Sequence, residues 1–166
     1  MLSRLFTRTG MLLFMMFLAS GALWSQQNPL VGTWKLNLAK SKYSPANLAP
    51  KSGTTKIEAV AGGIKLTADG VDAQGQATHL EYTAMFDGKD YPIQATIGGR
   101  PNPNQDAVTW RKIDDYTYEN TAKLKGQALT TTRVAIARDG KTRTNTVTGK
   151  NAQGQTVNNT AVYEKQ

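Results

Sequence analysis

The chain has 166 residues, with 20 Lys and Arg against 12 Asp and Glu, a formal charge of +8, one histidine and no cysteine. This length is typical of a single domain. The lack of cysteine excludes disulfides, zinc knuckles, iron–sulfur clusters and thiol catalysis, and a single histidine excludes a multi-histidine metal site. We therefore expect no cofactor and no metal.

The N-terminus is typical of a secretory signal. Arg4 and Arg8 precede the apolar run Met11–Leu18, and small residues follow at positions 19–22. The run is far shorter than the ~20 residues of a membrane-spanning helix. We predict a cleaved signal within residues 1–25, cut after Ala22 or Ser25, and one domain over residues 26–166. The mature protein is expected to be secreted or periplasmic, with no stable membrane insertion.

The basic residues are scattered along the chain. Removal of the signal takes away two arginines and leaves a net charge of +6. The basic residues form no stripe, and the sequence contains no motif that reads nucleic acid. We interpret the charge as a solubilising surface and expect no nucleic-acid partner.

Beyond residue 28 the pattern is that of an all-β protein. Short segments rich in Thr, Val, Ile and Tyr alternate with glycine-containing turns, among them Asp69-Gly70 and Asp139-Gly140, and no sustained helical period appears. A further strand around Tyr91–Ile97 is restricted by Pro92 to an edge or a bulge. The nine main predicted strands are Thr33–Leu38, Thr54–Val60, Ile64–Thr67, Ala77–Phe86, Ala107–Ile113, Tyr116–Leu124, Ala128–Ala137, Thr142–Gly149 and Thr156–Glu164.

The short connections predict the topology. Consecutive strands joined by short turns pair as antiparallel neighbours, and closure of such a ribbon removes its exposed edges. We predict an antiparallel up-and-down meander that closes into a β-barrel of about 8–10 strands. A two-layer β-sandwich is the alternative. The segment Gly70–Gln76 recurs in similar form as Gly149–Gln155, which indicates two similar hairpin loops.

Strand alternation predicts which side chains face inward. The inward set mixes aromatic and aliphatic residues with Ala, Thr and Asn, which suggests an incompletely filled interior and hence a cavity for a small molecule. The alternative is that the aromatic residues simply pack together as core. The candidate ligand-binding residues are Trp34, Tyr82, Phe86, Trp110, Tyr116, Tyr118 and Tyr163.

Both ends of the predicted domain show a family resemblance. Leu30–Leu36, which contains Gly32-Thr-Trp34, resembles the opening strand of the lipocalin and fatty-acid-binding-protein (calycin) superfamily, whose hallmark is Gly-x-Trp. Ala161–Lys165 resembles the closing strand of the fatty-acid-binding branch. Together they also resemble small secreted bacterial proteins described as lipocalin-like.

The resemblance implies a barrel in which Trp34 packs across the closed end. In the fatty-acid-binding branch an arginine two residues before the closing tyrosine holds the ligand carboxylate. Here that tyrosine is Tyr163 and the arginine position is Ala161, so the charged partner is missing. The branch's two lid helices are not expected either, because the short segment Ala39–Gly53 contains two prolines.

Other polar residues give weaker signals. Arg100 lies in the Gly- and Pro-rich stretch Gly98–Asp106, which is too long for a hairpin turn, and is a candidate for the rim of a binding site. Arg111 and Arg133 are other possible cations for a binding site, but strand alternation places both on the outward face of the sheet. His79 lacks a nucleophile motif, and Asp69 with Asp72 lacks the spacing of a calcium loop, so we interpret them as ordinary strand and turn residues.

The leading functional hypothesis is an exported, monomeric lipocalin-like protein that binds a small hydrophobic or amphipathic molecule inside its barrel. The first alternative is a non-catalytic envelope protein that acts through a protein–protein or surface interaction. The second is an enzyme on the same scaffold, although no catalytic constellation is found in the sequence.

Overall fold

The structure, a computed structural model, describes residues 28–166, and the predicted signal and its cleavage sites lie outside this range. The described part contains no α-helix, only a 3-10 turn at Ala46–Leu48. It therefore contains no helix long and apolar enough to cross a membrane. The strands are β1 (Gly32–Lys42), β2 (Ser52–Val60), β3 (Gly63–Val71), β4 (Ala77–Met85), β5 (Tyr91–Pro92), β6 (Gln94–Ile97), β7 (Arg100–Pro101), β8 (Ala107–Lys112), β9 (Thr117–Leu124), β10 (Gln127–Ile136), β11 (Thr142–Lys150) and β12 (Thr156–Lys165).

All twelve strands belong to one antiparallel sheet, in the order β5-β8-β9-β10-β11-β12-β1-β2-β3-β4-β6-β7. Most neighbours in the sheet are also neighbours in sequence, as short hairpin connections require. The first strand pairs with both β2 and the last strand, with Trp34 opposite Thr55 on one side and Lys165 on the other. The predicted all-β meander is confirmed, and the single sheet rules out the two-layer sandwich.

The sheet curls until β4 and β8 meet. Just past the end of β4, Asp87 forms an isolated bridge with Arg111, and the amide of Gly88 donates to the carbonyl of Trp110 at 3.0 Å. Inside the barrel, Trp110 Nε1 donates to the hydroxyl of Tyr82 at 3.1 Å. Backbone and side-chain hydrogen bonds thus join the two sides of the curled sheet at β4 and β8.

One predicted turn is wrong. Asp69 and Gly70 lie within β3, which continues to Val71, because the chain turns only at Asp72. A Cβ on Gly70 would lie 2.6 Å from the carbonyl oxygen of Ser52 on β2. The glycine therefore permits close approach of two strands, and does not supply a turn.

The Gly- and Pro-rich stretch also differs from expectation. Gly98 and Gly99, both with positive φ, form a tight turn that folds β7 back onto β6. The stretch was expected to contain neither a hairpin turn nor a strand, yet it begins with a short hairpin. The predicted strand at Tyr91–Ile97 is interrupted at Ile93 and becomes β5 and β6, which pair with different strands.

The repeated segment forms two matching turns. In the β3–β4 connection the amide of Asp72 donates to the carbonyl of Gln76 at 2.9 Å, and its carboxylate accepts from the amide of Gln76 at 2.7 Å. In the β11–β12 connection Asn151 makes the same two contacts with Gln155, both at 2.9 Å. The prediction of two similar hairpin loops is confirmed, and Asp72 acts as a turn residue.

The densest packing lies at the end of the barrel where β1 begins. Leu30 and Trp34 have no exposed surface there, and the indole of Trp34 donates to the carbonyl of Leu30 at 2.9 Å. Ile57 and Ile64 from the β2–β3 hairpin are buried beside them. We call this group (Leu30, Trp34, Ile57, Ile64) the packed layer, and it fills this end of the barrel with side chains.

Leu38 is four residues from Trp34 on β1, so regular strand alternation would place it on the same inward face. It is 41% exposed instead, because the pairing of β1 with β12 shifts register between Asn37 and Lys42. Such an irregularity reverses the alternation of side chains beyond it.

Candidate ligand-binding site

Above the packed layer the barrel interior is hollow. An inner compartment of about 190 Å³ adjoins an outer compartment of about 280 Å³ that extends toward the opposite end of the barrel. Thr55, Ala68, Leu80 and Tyr163 line both. Together the compartments reach the ~300–1,000 Å³ range of pockets that hold small molecules.

The two compartments have different walls. Small and apolar side chains line much of the outer one, including Leu36, Ala95 and Ile97. The inner one is more polar, with Arg143 and Asn145 from β11, Thr132 from β10 and Asn120 from β9. The hollow is thus amphipathic along its length.

Arg143 is the central residue of the inner compartment. It is only 3% exposed. The pairing of β11 with β12 places it opposite Tyr163, whose ring centre lies 4.2 Å from the guanidinium carbon. The same carbon lies 5.4 Å from the ring centre of Trp34, and Nη2 donates to Thr55 Oγ1 at 3.2 Å. Two aromatic rings and one hydroxyl therefore hold the guanidinium in place.

The charge of Arg143 has no protein counter-ion. Among residues 28–166 no carboxylate forms an ion pair with it. Burial lowers the pKa of Arg143 to about 10, partly offset by the phenols of Tyr163 and Tyr82. The group remains protonated at neutral pH. A buried cation without a partner is costly, and an anion in the cavity would offset that cost.

Two polar atoms in this compartment are buried without a hydrogen-bond partner. One is the donor Nε of Arg143 and the other is the acceptor Oδ1 of Asn145, two residues along the same strand. Nearly all buried polar atoms in folded proteins are paired with protein or water. Neither atom is paired with another protein group, and both belong to residues that line the inner compartment.

Tyr82 supplies a further donor. Its hydroxyl accepts the indole N–H of Trp110, so its own proton is free to point into the inner compartment that both residues line. Burial raises the pKa of Tyr82, and the hydroxyl keeps its proton at neutral pH. Arg143 and Tyr82 together offer donors to an anionic group.

The seven predicted binding residues fall into three places. Trp34 belongs to the packed layer, and Tyr82, Trp110 and Tyr163 line the inner compartment. The others surround a separate cleft of about 390 Å³ at the end of the barrel near Asn28. Those cleft residues are Phe86, Tyr116 and Tyr118.

The cleft has structural roles for its aromatic rings. Phe86 packs against Tyr118 with ring centres 5.2 Å apart, and the hydroxyl of Tyr118 donates to Asn28 Oδ1 at 2.8 Å. Arg138 lies over the ring of Tyr116. The one basic residue that lines the cleft, Lys112, is already paired with Asp115 at 2.8 Å. The cleft therefore lacks the unpaired buried groups of the inner compartment.

The remaining candidates are largely exposed, and of these His79 and Asp69 belong to the wall of the outer compartment. Arg100 is exposed on β7 and is not among the residues lining either compartment, while Arg111 and Arg133 are exposed, as their parity predicts. His79 and Asp69 form a pair at 2.7 Å with both side chains substantially exposed. Residues 28–166 contain no cluster of three or more His, Asp or Glu that could hold a metal ion.

Arg143 is the candidate binding residue that sequence reasoning missed. Its strand alternates threonines with Arg143, Asn145 and Val147, and neither face is clearly apolar. The register of the following hairpin contains the missing signal. Counting back through the Asn151–Gln155 turn places Arg143 opposite Tyr163, a residue already predicted to face inward.

Comparison with known proteins does not assign a family. No protein-family model matches the chain, and no curated protein matches it either. The resemblance to the lipocalin and fatty-acid-binding-protein superfamily stays a prediction.

Proposed function

We propose that this protein is an exported, lipocalin-like binding protein that carries a small amphipathic anion in its barrel. The polar end of the molecule lies in the inner compartment and its apolar end in the outer one. The observation that carries the proposal is Arg143, a buried cation that faces a cavity with its Nε unpaired and no carboxylate beside it.

The charge and walls of the cavity support an anionic ligand with an apolar tail. A guanidinium stabilises a carboxylate or a phosphate through strong, directional hydrogen bonds. The outer compartment, with Leu36, Ala95 and Ile97 in its wall, suits a hydrocarbon chain. The +6 charge of the mature chain also attracts anions from solution.

The outer surface gives less support to the alternative of an envelope protein that acts through surface contacts. Within residues 28–166 the large hydrophobic side chains that are exposed are Leu38 and Ile113. Single exposed hydrophobics are common on soluble domains, and extended apolar patches are what mark interaction sites.

Titration calorimetry with decanoate and decanol tests the proposal. The protein is purified after expression of the full chain. We expect decanoate to bind more tightly than decanol, which has a similar tail but no charge. Arg143→Met should weaken decanoate binding by about 10- to 100-fold, because it removes hydrogen bonds to a charged group.

Arg133→Met is the matched control, since Arg133 is exposed on the neighbouring strand β10. It should leave decanoate binding unchanged. Failure of decanoate to bind, or equal binding to wild type and Arg143→Met, would overturn the proposal. Native mass spectrometry of the protein from its own host should in addition find a discrete co-purifying mass.

A further inference from the structure

A glycine near the start of β2 faces the outer compartment. Gly53 lies two residues before the buried Thr55, on an uninterrupted stretch of the β2–β3 ladder, so both residues are on the inward face. Gly53 is also among the residues that line the outer compartment. Glycine is unfavourable in a strand, because it loses more conformational entropy on folding than other residues and packs no side chain. Its presence here therefore requires a physical reason.

The fold itself does not supply that reason. The φ angle of Gly53 is not positive, and its pairing with β3 contains no bulge. A Cβ on Gly53 would make only ordinary contacts, at 3.6 Å from Leu36 Cβ and 3.7 Å from Leu36 Cδ2. Gly70, its partner on β3, differs, since a Cβ there would lie 2.6 Å from the carbonyl oxygen of Ser52. The remaining reason for a glycine at position 53 is the close approach of a ligand.

The position of Gly53 fits the apolar end of the proposed ligand. Tyr163 lies opposite Arg143 on one neighbouring strand and opposite Leu36 on the other. Leu36 is in turn the side chain that a Cβ on Gly53 would touch. Tyr163 lines both compartments, whereas Gly53 lines the outer one. A chain that starts beside Arg143 and passes Tyr163 therefore reaches the wall of the outer compartment at Gly53.

We propose that Gly53 is a specificity-determining residue, which admits an unbranched hydrocarbon chain from the inner compartment into the outer one. This inference rests on the proposed function and identifies the residue that limits the length of the bound tail. The missing side chain leaves space for methylene groups against β2. A larger side chain at this position would fill that space and leave the inner compartment as it is.

Calorimetry with hexanoate and decanoate on the purified protein provides the test. In the wild type, decanoate should bind at least about tenfold more tightly than hexanoate, because it buries more methylene groups. Gly53→Leu should reduce this advantage to less than about threefold and leave hexanoate affinity within about twofold of wild type. Thr83→Leu, on the exposed outer face of β4, is the control and should keep the full advantage.

Stability separates a ligand-binding role of Gly53 from a structural one. Gly53→Ala should raise the urea midpoint of unfolding, because alanine loses less entropy on folding and its Cβ fits beside Leu36. It should also weaken decanoate binding by about two- to fivefold, since the added methyl takes the space of part of the tail. Gly70→Ala should instead lower the midpoint, because its Cβ would collide with the carbonyl of Ser52.

The outcomes distinguish this inference from the proposed function. A lower urea midpoint for Gly53→Ala would make the glycine structural and overturn the inference. An undiminished advantage of decanoate in Gly53→Leu would do the same and leave the proposed function intact. If Gly53→Leu fails to fold, undiminished decanoate binding by Gly53→Ala would overturn the inference in its place. Failure of both acids to bind the wild-type protein would overturn both proposals.

Discussion

Two adjacent regions of the barrel interior differ in whether their buried polar groups are paired. In the packed layer the large side chains are apolar, and the one buried polar group of Trp34 is paired with a backbone carbonyl at 2.9 Å. In the inner compartment Arg143 and Asn145 each leave a buried atom unpaired beside empty space. The first region stabilises the fold, and the second is the one that we propose binds a ligand.

Trp34 connects the two regions. The guanidinium of Arg143 lies 5.4 Å from its ring centre, and Lys165 Nζ lies 5.1 Å from the same ring centre. The indole therefore belongs to the core and also contacts the guanidinium of Arg143 in the inner compartment. The two regions can be separated by substitutions that affect stability and binding in different proportions.

The largest expected effect is on stability, in the packed layer. Trp34→Ala should lower the free energy of unfolding by about 3–5 kcal/mol, because it removes a fully buried ring and leaves a cavity. Urea denaturation monitored by circular dichroism measures the change. Trp34→Phe keeps a ring but loses the hydrogen bond to Leu30, and should cost about 1–3 kcal/mol. A loss below 1 kcal/mol for Trp34→Ala would contradict the role of this layer.

Arg143→Met should affect ligand binding much more than stability. It should abolish most decanoate binding. It should also leave the free energy of unfolding unchanged or raise it by up to about 2 kcal/mol. The reason is that an apolar side chain of similar length replaces a buried charge without a counter-ion. The same urea titration without ligand checks this. A loss of 3 kcal/mol or more would mean that the contacts with Trp34 and Tyr163 make Arg143 a structural residue.

The sequence predicted the packed layer better than the binding compartment, for a physical reason. Alternation of apolar and polar residues identified most strands and the inward face of Trp34, Tyr82 and Trp110, since burial of apolar surface determines that pattern. In β11 the inward residues include Arg143 and Asn145, and their outward neighbours are threonines, so hydrophobicity does not distinguish the faces. Only strand register, which depends on the exact pairing of β11 with β12, places them inside.

Local backbone geometry explains the other differences. Asp69-Gly70 has the composition of a turn but lies in a strand, since Gly70 accommodates the close approach of Ser52. Leu38 follows a register shift that alternation cannot anticipate. Both features depend on neighbouring strands that are distant in sequence. The matching Asp72 and Asn151 turns were predicted, because their hydrogen bonds involve only residues close in sequence.

A much smaller effect is expected at the exposed pair of side chains in the wall of the outer compartment. His79 pairs with Asp69 at 2.7 Å, but both side chains are largely exposed, with 42% and 67% of their surface accessible. Exposed pairs of this kind contribute little. His79→Ala should change the free energy of unfolding by less than about 0.5 kcal/mol and leave decanoate affinity unaltered, measured by urea titration and calorimetry. A marked loss of binding would place the ligand at this pair and not at Arg143.

The smallest expected effect is on the pH dependence of decanoate binding between pH 6 and 9. The pKa of Arg143 is lowered by burial to about 10, so the guanidinium is charged throughout this interval, and decanoate is ionised as well. Affinity should therefore be constant there and decline only as the pH rises through about 10, where the charged form is lost. In the absence of ligand the sign is reversed for stability. Because burial lowers the folded-state pKa of Arg143 below its ordinary value, the contribution of this group to stability is present above the ordinary pKa and is lost as the pH falls through about 10. Calorimetry at constant ionic strength measures the binding profile, with decanol as the uncharged reference. A tenfold fall in decanoate affinity between pH 6 and 8 would mean that a group other than Arg143 makes the contact with the anion, because the guanidinium keeps its charge throughout this interval.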